Sequence, residues 1–200
     1  MCSKNDTLGS DWEGIVMDKE NLSVVRQSLA NASFSHKVHE VASDRKTEAS
    51  VRFKYIDICI ISLIFILLVL QTQMSSNFIF SFIGAGLTAA EIVVLIVKLF
   101  FHFDEDSVAH KNTALKYMAL RDRYKNLIAD IIKQTINQSE IVNRRDQLLH
   151  EYQMISDLAP QTSKDDYCEA MKRLKIKEDN QNIWSDTQVD HFLPKELRKK

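Results

Sequence analysis

The sequence predicts an all-α, integral membrane protein: a two-helix hairpin with long cytoplasmic helical extensions. Three observations carry that expectation. The run Phe78 to Phe101, "FIFSFIGAGLTAAEIVVLIVKLFF", holds only two ionisable side chains, Glu91 and Lys98, and a helix needs about 20 mostly apolar residues to cross a ~30 Å hydrocarbon core. Upstream, "YIDICIISLIFILLVL" starts at Tyr55 with Asp57 near its beginning, and the uncharged "QTQM" extends it towards a full span. Elsewhere Gly and Pro are scarce, four and two in 200 residues, while charged and helix-favouring residues abound, which is the composition of helices. A soluble buried hairpin would require the rest of the chain to cover two helices that are apolar on every face.

The elements follow in order. Residues 1–18 are read as a flexible N-terminus. Residues 19–54, from "KENLSVVRQ" onward, form a helical arm with no Pro or Gly to separate it from the first span. The hairpin occupies 55–101, with spans at about 55–73 and 78–101. The first span is not read as a cleaved signal peptide, because it follows a charged region and no small-residue cleavage site comes after it. The connection "QTQMSSN" carries no charge, whereas Arg45, Lys46, Arg52 and Lys54 precede the first span and Lys98, Lys111 and Lys116 lie at or beyond the end of the second. The positive-inside rule then places both termini in the cytoplasm, as a multi-pass protein of the inner (cytoplasmic) membrane.

Residues 102–178 are expected to be a cytoplasmic helical region. "DEDS" supplies caps and acidic first-turn residues for a helix beginning near Val108, with a stripe of Ala114, Tyr117, Tyr124, Ile128 and Ile131. The patch "KQTINQSE" is either a break or a loosening; Ile141, Leu148, Tyr152 and Ile155 then resume the stripe until Ala159-Pro160, where proline ends it. Ser163, three residues before Asp166, opens a short helix with a capping-box pattern, running through Tyr167, Met171 and Leu174. Residues 179–200 are read as a flexible tail, despite Trp184 and Phe192.

Within the second span, Ser81, Gly84, Thr88, Glu91, Leu95, Lys98 and His102 recur at steps of three and four and so share one helix face. A central charge costs about 2.5–3.5 kcal/mol on insertion, while each Leu, Ile, Phe or Val offsets about 0.3–0.6, so the fifteen such residues of this span outweigh one glutamate. Insertion is therefore feasible, but a glutamate facing lipid is not favoured. Two readings of Glu91 stand: a functional residue that, with Ser81, Gly84, Thr88 and Lys98, lines a pore at an oligomer axis or wet cavity, or polar glue bonded to Cys59, Ser62 or Thr88. Gly86 and Ala90, four apart, form a small-xxx-small pair suited to close helix packing. Two spans are too few to enclose a pathway, so any pore implies a homo-oligomer.

Other chemistries find little support. Net charge is −1 with no concentrated basic tail, which gives no reason to expect direct nucleic-acid binding. Cys2, Cys59 and Cys168 are an odd, scattered set and read as reduced thiols. His36 and His39 lack the company of a metal site and read as solvated positions. No Walker-type or GxGxxG loop and no nucleophile–base pattern occurs. The expectation is a non-enzyme with no catalytic, cofactor or metal residues.

Three stretches together resemble a known family: "SVRFKYIDICIISLIFILL" entering the first span, "AHKNTALKYMALRDRY" after the second, and "DLAPQTSKDDYCEAMKRLK". In that order they look like the SLATT family, over roughly residues 35–177. The resemblance implies a two-span membrane effector of bacterial conflict systems, proposed to form pores and to arrest or kill the cell in antiviral defence. It also implies a separate activator, either a sensor or a nucleotide-generating or reverse-transcriptase partner. For His110, Ala114, Tyr117 and Tyr124 it suggests a shared packing role, against the arm or a sister subunit, with ligand binding at His110 or Arg121 as the alternative. Against the pore reading stand a membrane-anchored scaffold and an accessory transporter subunit.

Overall fold

The structure, a computed structural model of the chain, describes residues 18–73, 78–176 and 183–198, without the side chains of Thr72 and Gln73. Of the segments expected to be flexible, 1–18 and 179–200, residues 1–17, 179–182 and 199–200 lie outside the described residues, as does most of the inter-span connection. Six α-helices follow one another: α1 (Lys19–Gln73), α2 (Phe78–Phe100), α3 (Phe103–Lys133), α4 (Gln138–Asp157), α5 (Lys164–Arg173) and α6 (Asp186–His191), with a 3-10 turn at Lys195–Leu197 and no strand among the described residues. The fold is all-α, as composition implies.

Arm and first span are one helix. With no Pro or Gly between Lys19 and Gln73, every backbone donor can propagate the ladder, and 55 residues give a rod about 80 Å long. Asp18 caps it, accepting the Asn21 amide at 3.0 Å. Two helices are long and apolar enough to cross a membrane, and only 6% of each apolar window is buried inside the chain. That exposure disposes of the soluble-core alternative, since a core helix would be covered on all faces.

The chain forms two compact units. The first comprises Met1–Ser33, Ala119–Met154 and Asp179–Lys200. Its buried side chains are Val25 and Leu29 from α1, Leu120, Tyr124, Leu127, Ile128 and Ile131 from α3, Ile141 and Leu148 from α4, and Val189 and Leu193 around α6. The patch after Lys133 is a true break: Gln134 adopts φ 55° and Thr135 N–H bonds back to Asp130 O at 3.1 Å, a Schellman-type end in which Gln stands where Gly is usual. Asn137 then caps α4 through the Glu140 amide at 2.9 Å.

The tail departs from expectation. Instead of a flexible segment, residues 183–198 fold back onto α1 of the same unit. The Gln27 amide clamps the Trp184 backbone, donating to its carbonyl at 2.7 Å and accepting its N–H at 3.0 Å. The Trp184 indole donates to Asn31 at 2.7 Å, and buried Arg26 pairs with Asp190 at 2.7 Å. Ser185 and Gln188 complete a capping box at the start of α6. The physical reason for the difference is that these anchors lie more than 150 residues away in sequence, where local polarity gives no sign of them.

The second unit comprises Phe34–Met118 and Ile155–Glu178. It contains the hairpin, the start of α3 and α5. Helix α3 begins at Phe103, five residues before the expected Val108, because the Phe103 ring stacks between Phe53 and Phe101 at 5.3 and 5.6 Å and Asp104, Glu105 and Asp106 suit its positive first turn. On α5, Ala170 packs with Val38, Val41 and Phe34, and Tyr167 meets Phe34 edge-on at 4.9 Å. The capping box of Ser163 and Asp166 is present as its spacing suggests.

Candidate functional site

In the hairpin, covered positions recur along one face of each span. On α1 these are Phe53, Asp57, Ile60, Ile64, Leu67 and Gln71; on α2 they are Phe80, Gly84, Leu87, Glu91, Val94 and Lys98. Residues between them are mostly exposed Ile, Leu, Val and Phe, the surface a bilayer covers. The two faces form a seam. Its charged residues are Asp57, Glu91 and Lys98, the only charged side chains of the two spans.

Lys98 donates to Asp57 Oδ2 across the seam. Asp57 Oδ1 is buried without a hydrogen-bond partner, and so are both oxygens of Glu91, a residue only 8% exposed. At the opposite end, Gln71 donates to Ser81 Oγ at 2.8 Å. The partners named for the glue reading are turned elsewhere: Ser62 bonds to Ile58 O at 2.6 Å, Thr88 to Gly84 O at 2.9 Å, and Cys59 is exposed. A buried carboxylate whose acceptor sites are unmet costs more than an ordinary lost hydrogen bond.

The structure divides the polar stripe. Gly84, Glu91 and Lys98 turn into the seam, whereas Ser81 and Thr88 are exposed. Steps alternating between three and four average 3.5 residues, so neighbours such as Thr88 and Glu91 stand about 60° apart on a 3.6-residue helix. Gly86 and Ala90 also face outward; a Cβ added at Gly86 meets nothing within 4 Å. No described residue packs against Gly86.

A second polar centre lies in the same unit, beyond the hairpin. His110, Ala114 and Tyr117 are all buried, as is Tyr124 in the other unit, where burial pushes its hydroxyl up to about 12. His39 is not solvated, contrary to the sequence reading: it is 6% exposed, and its Nδ1 lies 3.0 Å from His110 Nδ1. Its ring also stacks on Tyr117 at 5.7 Å. His36 is half-buried too, its Nδ1 2.9 Å from Ala114 O. Both contacts join positions 71 or more residues apart, and the histidine spacing on α1 offers no sign of either.

The Nδ1–Nδ1 contact requires one ring to donate and the other to accept, so the pair is complete when neutral. Burial accordingly depresses both: His39 falls from 6.5 to about 4, with His110 adding to the shift and Asp166 opposing it, and His110 is lowered by burial against the same Asp166. Asp166 is 1% exposed, bonded through Oδ2 to Arg45 and the Ser163 amide at 2.9 Å each, with Oδ1 unpartnered. Between α1 and α3, Ser43, Thr47 and Ser107 share a hydroxyl ladder of 2.6 to 3.2 Å. Tyr117 is held by Ser156 at 2.8 Å. These groups fix α1, α3, α5 and the end of α4 to one another in a polar lock. Among the described residues no group of three or more His, Cys, Asp or Glu is arranged to hold a metal ion.

Comparison with known proteins agrees with this architecture. No curated protein and no solved structure matches the chain. The sequence profile of SLATT_4, described as SMODS and SLOG-associating 2TM effector domain family 4, matches residues 22–185, which takes in the arm, both spans, α3, α4 and α5. A two-span hairpin set between packed helical extensions, matched over that length, is a membrane-associated effector architecture, and the chain belongs to this SLATT family.

Proposed function

We propose that this protein is an oligomeric, membrane-permeabilising effector of bacterial antiviral defence, set in the inner membrane with both termini cytoplasmic and activated by a separate component of the SMODS or SLOG type that its family description names. The observation that supports this reading is Glu91: a carboxylate near the middle of a span, buried in the seam, with neither oxygen bonded. A hairpin that only tethers a scaffold gains nothing from such a group, and intramembrane ionisable residues are functional candidates by default. Several copies are needed, because one hairpin encloses no path. The outward Gly86 and Ala90 offer a small-residue face on which copies can approach.

The test is to express wild type, Glu91→Gln and Glu91→Leu in bacteria together with the genes adjacent to its own, following membrane potential, dye entry and protein level. Wild type is expected to collapse the potential, and both variants to change that response at normal abundance. If Glu91→Gln matches wild type while Glu91→Leu loses assembly, the residue is polar glue. An intact membrane potential in all three leaves the scaffold reading standing.

A further inference from the structure

We propose that the hairpin seam is a site for small monovalent cations, with one station at Asp57 and a deeper one at Glu91, so that the pore passes cations and rejects anions. This deepens the pore reading and rests on it. Three buried carboxylate oxygens in the seam lack a partner: Asp57 Oδ1, Glu91 Oε1 and Glu91 Oε2. Two acidic groups face one basic group, so each hairpin carries a net −1 within the membrane. Lys98 is committed to Asp57. It lies seven residues from Glu91, about 10 Å along the α2 axis, so the deeper carboxylate is left without a counter-charge. Unmet acceptor capacity together with surplus negative charge in a low dielectric is the chemistry that attracts a cation.

A cavity of about 190 Å³ opens at the Asp57 end of the hairpin, lined by Lys54, Lys98, His102, Asp104 and Glu105 among others, so Lys98, the partner of buried Asp57, borders a vestibule. In an assembly of several copies whose seams have opened, the Glu91 side chains supply a ring of carboxylates, the arrangement that selects cations in other pores. Lys98 acts as a fixed counter-cation that partly neutralises the first station and leaves Glu91 to discriminate.

The experiment reconstitutes the full-length protein in planar bilayers together with the products of the genes adjacent to its own, and measures reversal potential in a KCl gradient at symmetric pH, then in a pH gradient at symmetric KCl. Reversal towards the potassium or the proton equilibrium potential supports the site, and the two arms separate alkali cation from proton. Wild type is expected to favour potassium over chloride by about tenfold or more, since a fixed charge in a narrow site concentrates counter-ions by at least that factor. Glu91→Gln should bring the ratio to about one, and Lys98→Gln should raise it by unmasking Asp57. The two variants move the same quantity in opposite directions, so Lys98→Gln still decides should Glu91→Gln fail to insert. A chloride-selective or unselective wild-type current overturns the inference and leaves the pore reading intact, as does a Lys98→Gln ratio that is unchanged or lower. Absence of any current overturns both.

Discussion

Lowering the pH should loosen the helices outside the hairpin through the His39–His110 pair, and the size of the effect follows from the structure. In the unfolded chain His39 takes up a proton near 6.5; in the folded chain burial holds it to about 4. Between those values the unfolded state binds the additional proton, so stability rises with pH across the window. The contribution is complete above 6.5 and is lost as pH falls towards 4. One pKa unit corresponds to about 1.4 kcal/mol, so acidification from pH 6.5 to 5 alone should cost about 2 kcal/mol. His110 is depressed in the same direction, and a second proton on the pair would set two N–H groups face to face at 3.0 Å. Asp166 and Asp106 favour protonation of His110 while Lys46 and Arg45 oppose it, and burial is the largest influence on both rings. The assay is thermal unfolding in detergent micelles, followed by helical circular dichroism, for wild type and the double variant His39→Gln, His110→Gln. At roughly 2–4 °C per kcal/mol for a chain of this size, wild type should melt about 4–8 °C lower at pH 5 than at pH 6.5. The double variant should lose most of that difference, whatever its absolute stability. An equal drop in both proteins would refute the reasoning and assign the acid sensitivity to other groups.

Two further outcomes are expected. Gln27→Ala removes both hydrogen bonds that clamp the Trp184 backbone, at about 0.5–1.5 kcal/mol each, and should release the segment after Trp184 to protease at Lys195 and Arg198; cleavage no faster than wild type would mean that the clamp contributes nothing. Gly86→Leu should abolish crosslinking between copies in membranes without harming the hairpin, because nothing in the chain lies within 4 Å of the added Cβ. Crosslinking at the wild-type level would show that copies meet elsewhere.

What the sequence disclosed and what it concealed divide by range. The end of α2 was legible because the apolar run ending at Phe101 stops where the acidic Asp104 to Asp106 turn begins, and composition changes there within three residues. Helix faces were legible too: Ala114, Tyr117, Tyr124, Ile128 and Ile131 repeat with the helical period and all are buried. The α5 capping box is a contact across three residues and could be read directly. His39 looked solvated because Lys37 and Glu40 flank it on a charged helix, and only the fold brings His110 to it. Trp184 was misplaced for the same reason, since Gln27 and Asn31 carry no mark of an indole partner. The stripe on α2 was partly legible: the sequence places Glu91 and Thr88 on one side of the helix, but the position of α1 decides which of them is enclosed.

That enclosure sharpens what Glu91 means energetically. Lipid-facing Ile, Leu, Val and Phe on α2 repay insertion as a group, so they tolerate a glutamate anywhere along the span without requiring it. The seam does not tolerate it so easily, because Ile60, Ile64, Leu87 and Val94 along its covered faces offer no donor to a carboxylate. A leucine at position 91 would pack there with apolar neighbours and no unmet acceptor, and replacing a buried ionic group by an apolar one of similar volume is often neutral or stabilising. The hairpin as folded is therefore less stable than the same backbone could be, and two of its three unmet carboxylate oxygens belong to this one side chain. Asp57–Lys98 at one end and Gln71–Ser81 at the other hold the spans in register around it. A tether selected only for anchorage has no use for a deficit at its centre. An effector that must move from a sealed to a permeable arrangement does, because a group poorly accommodated in the sealed hairpin lowers the free energy needed to leave it.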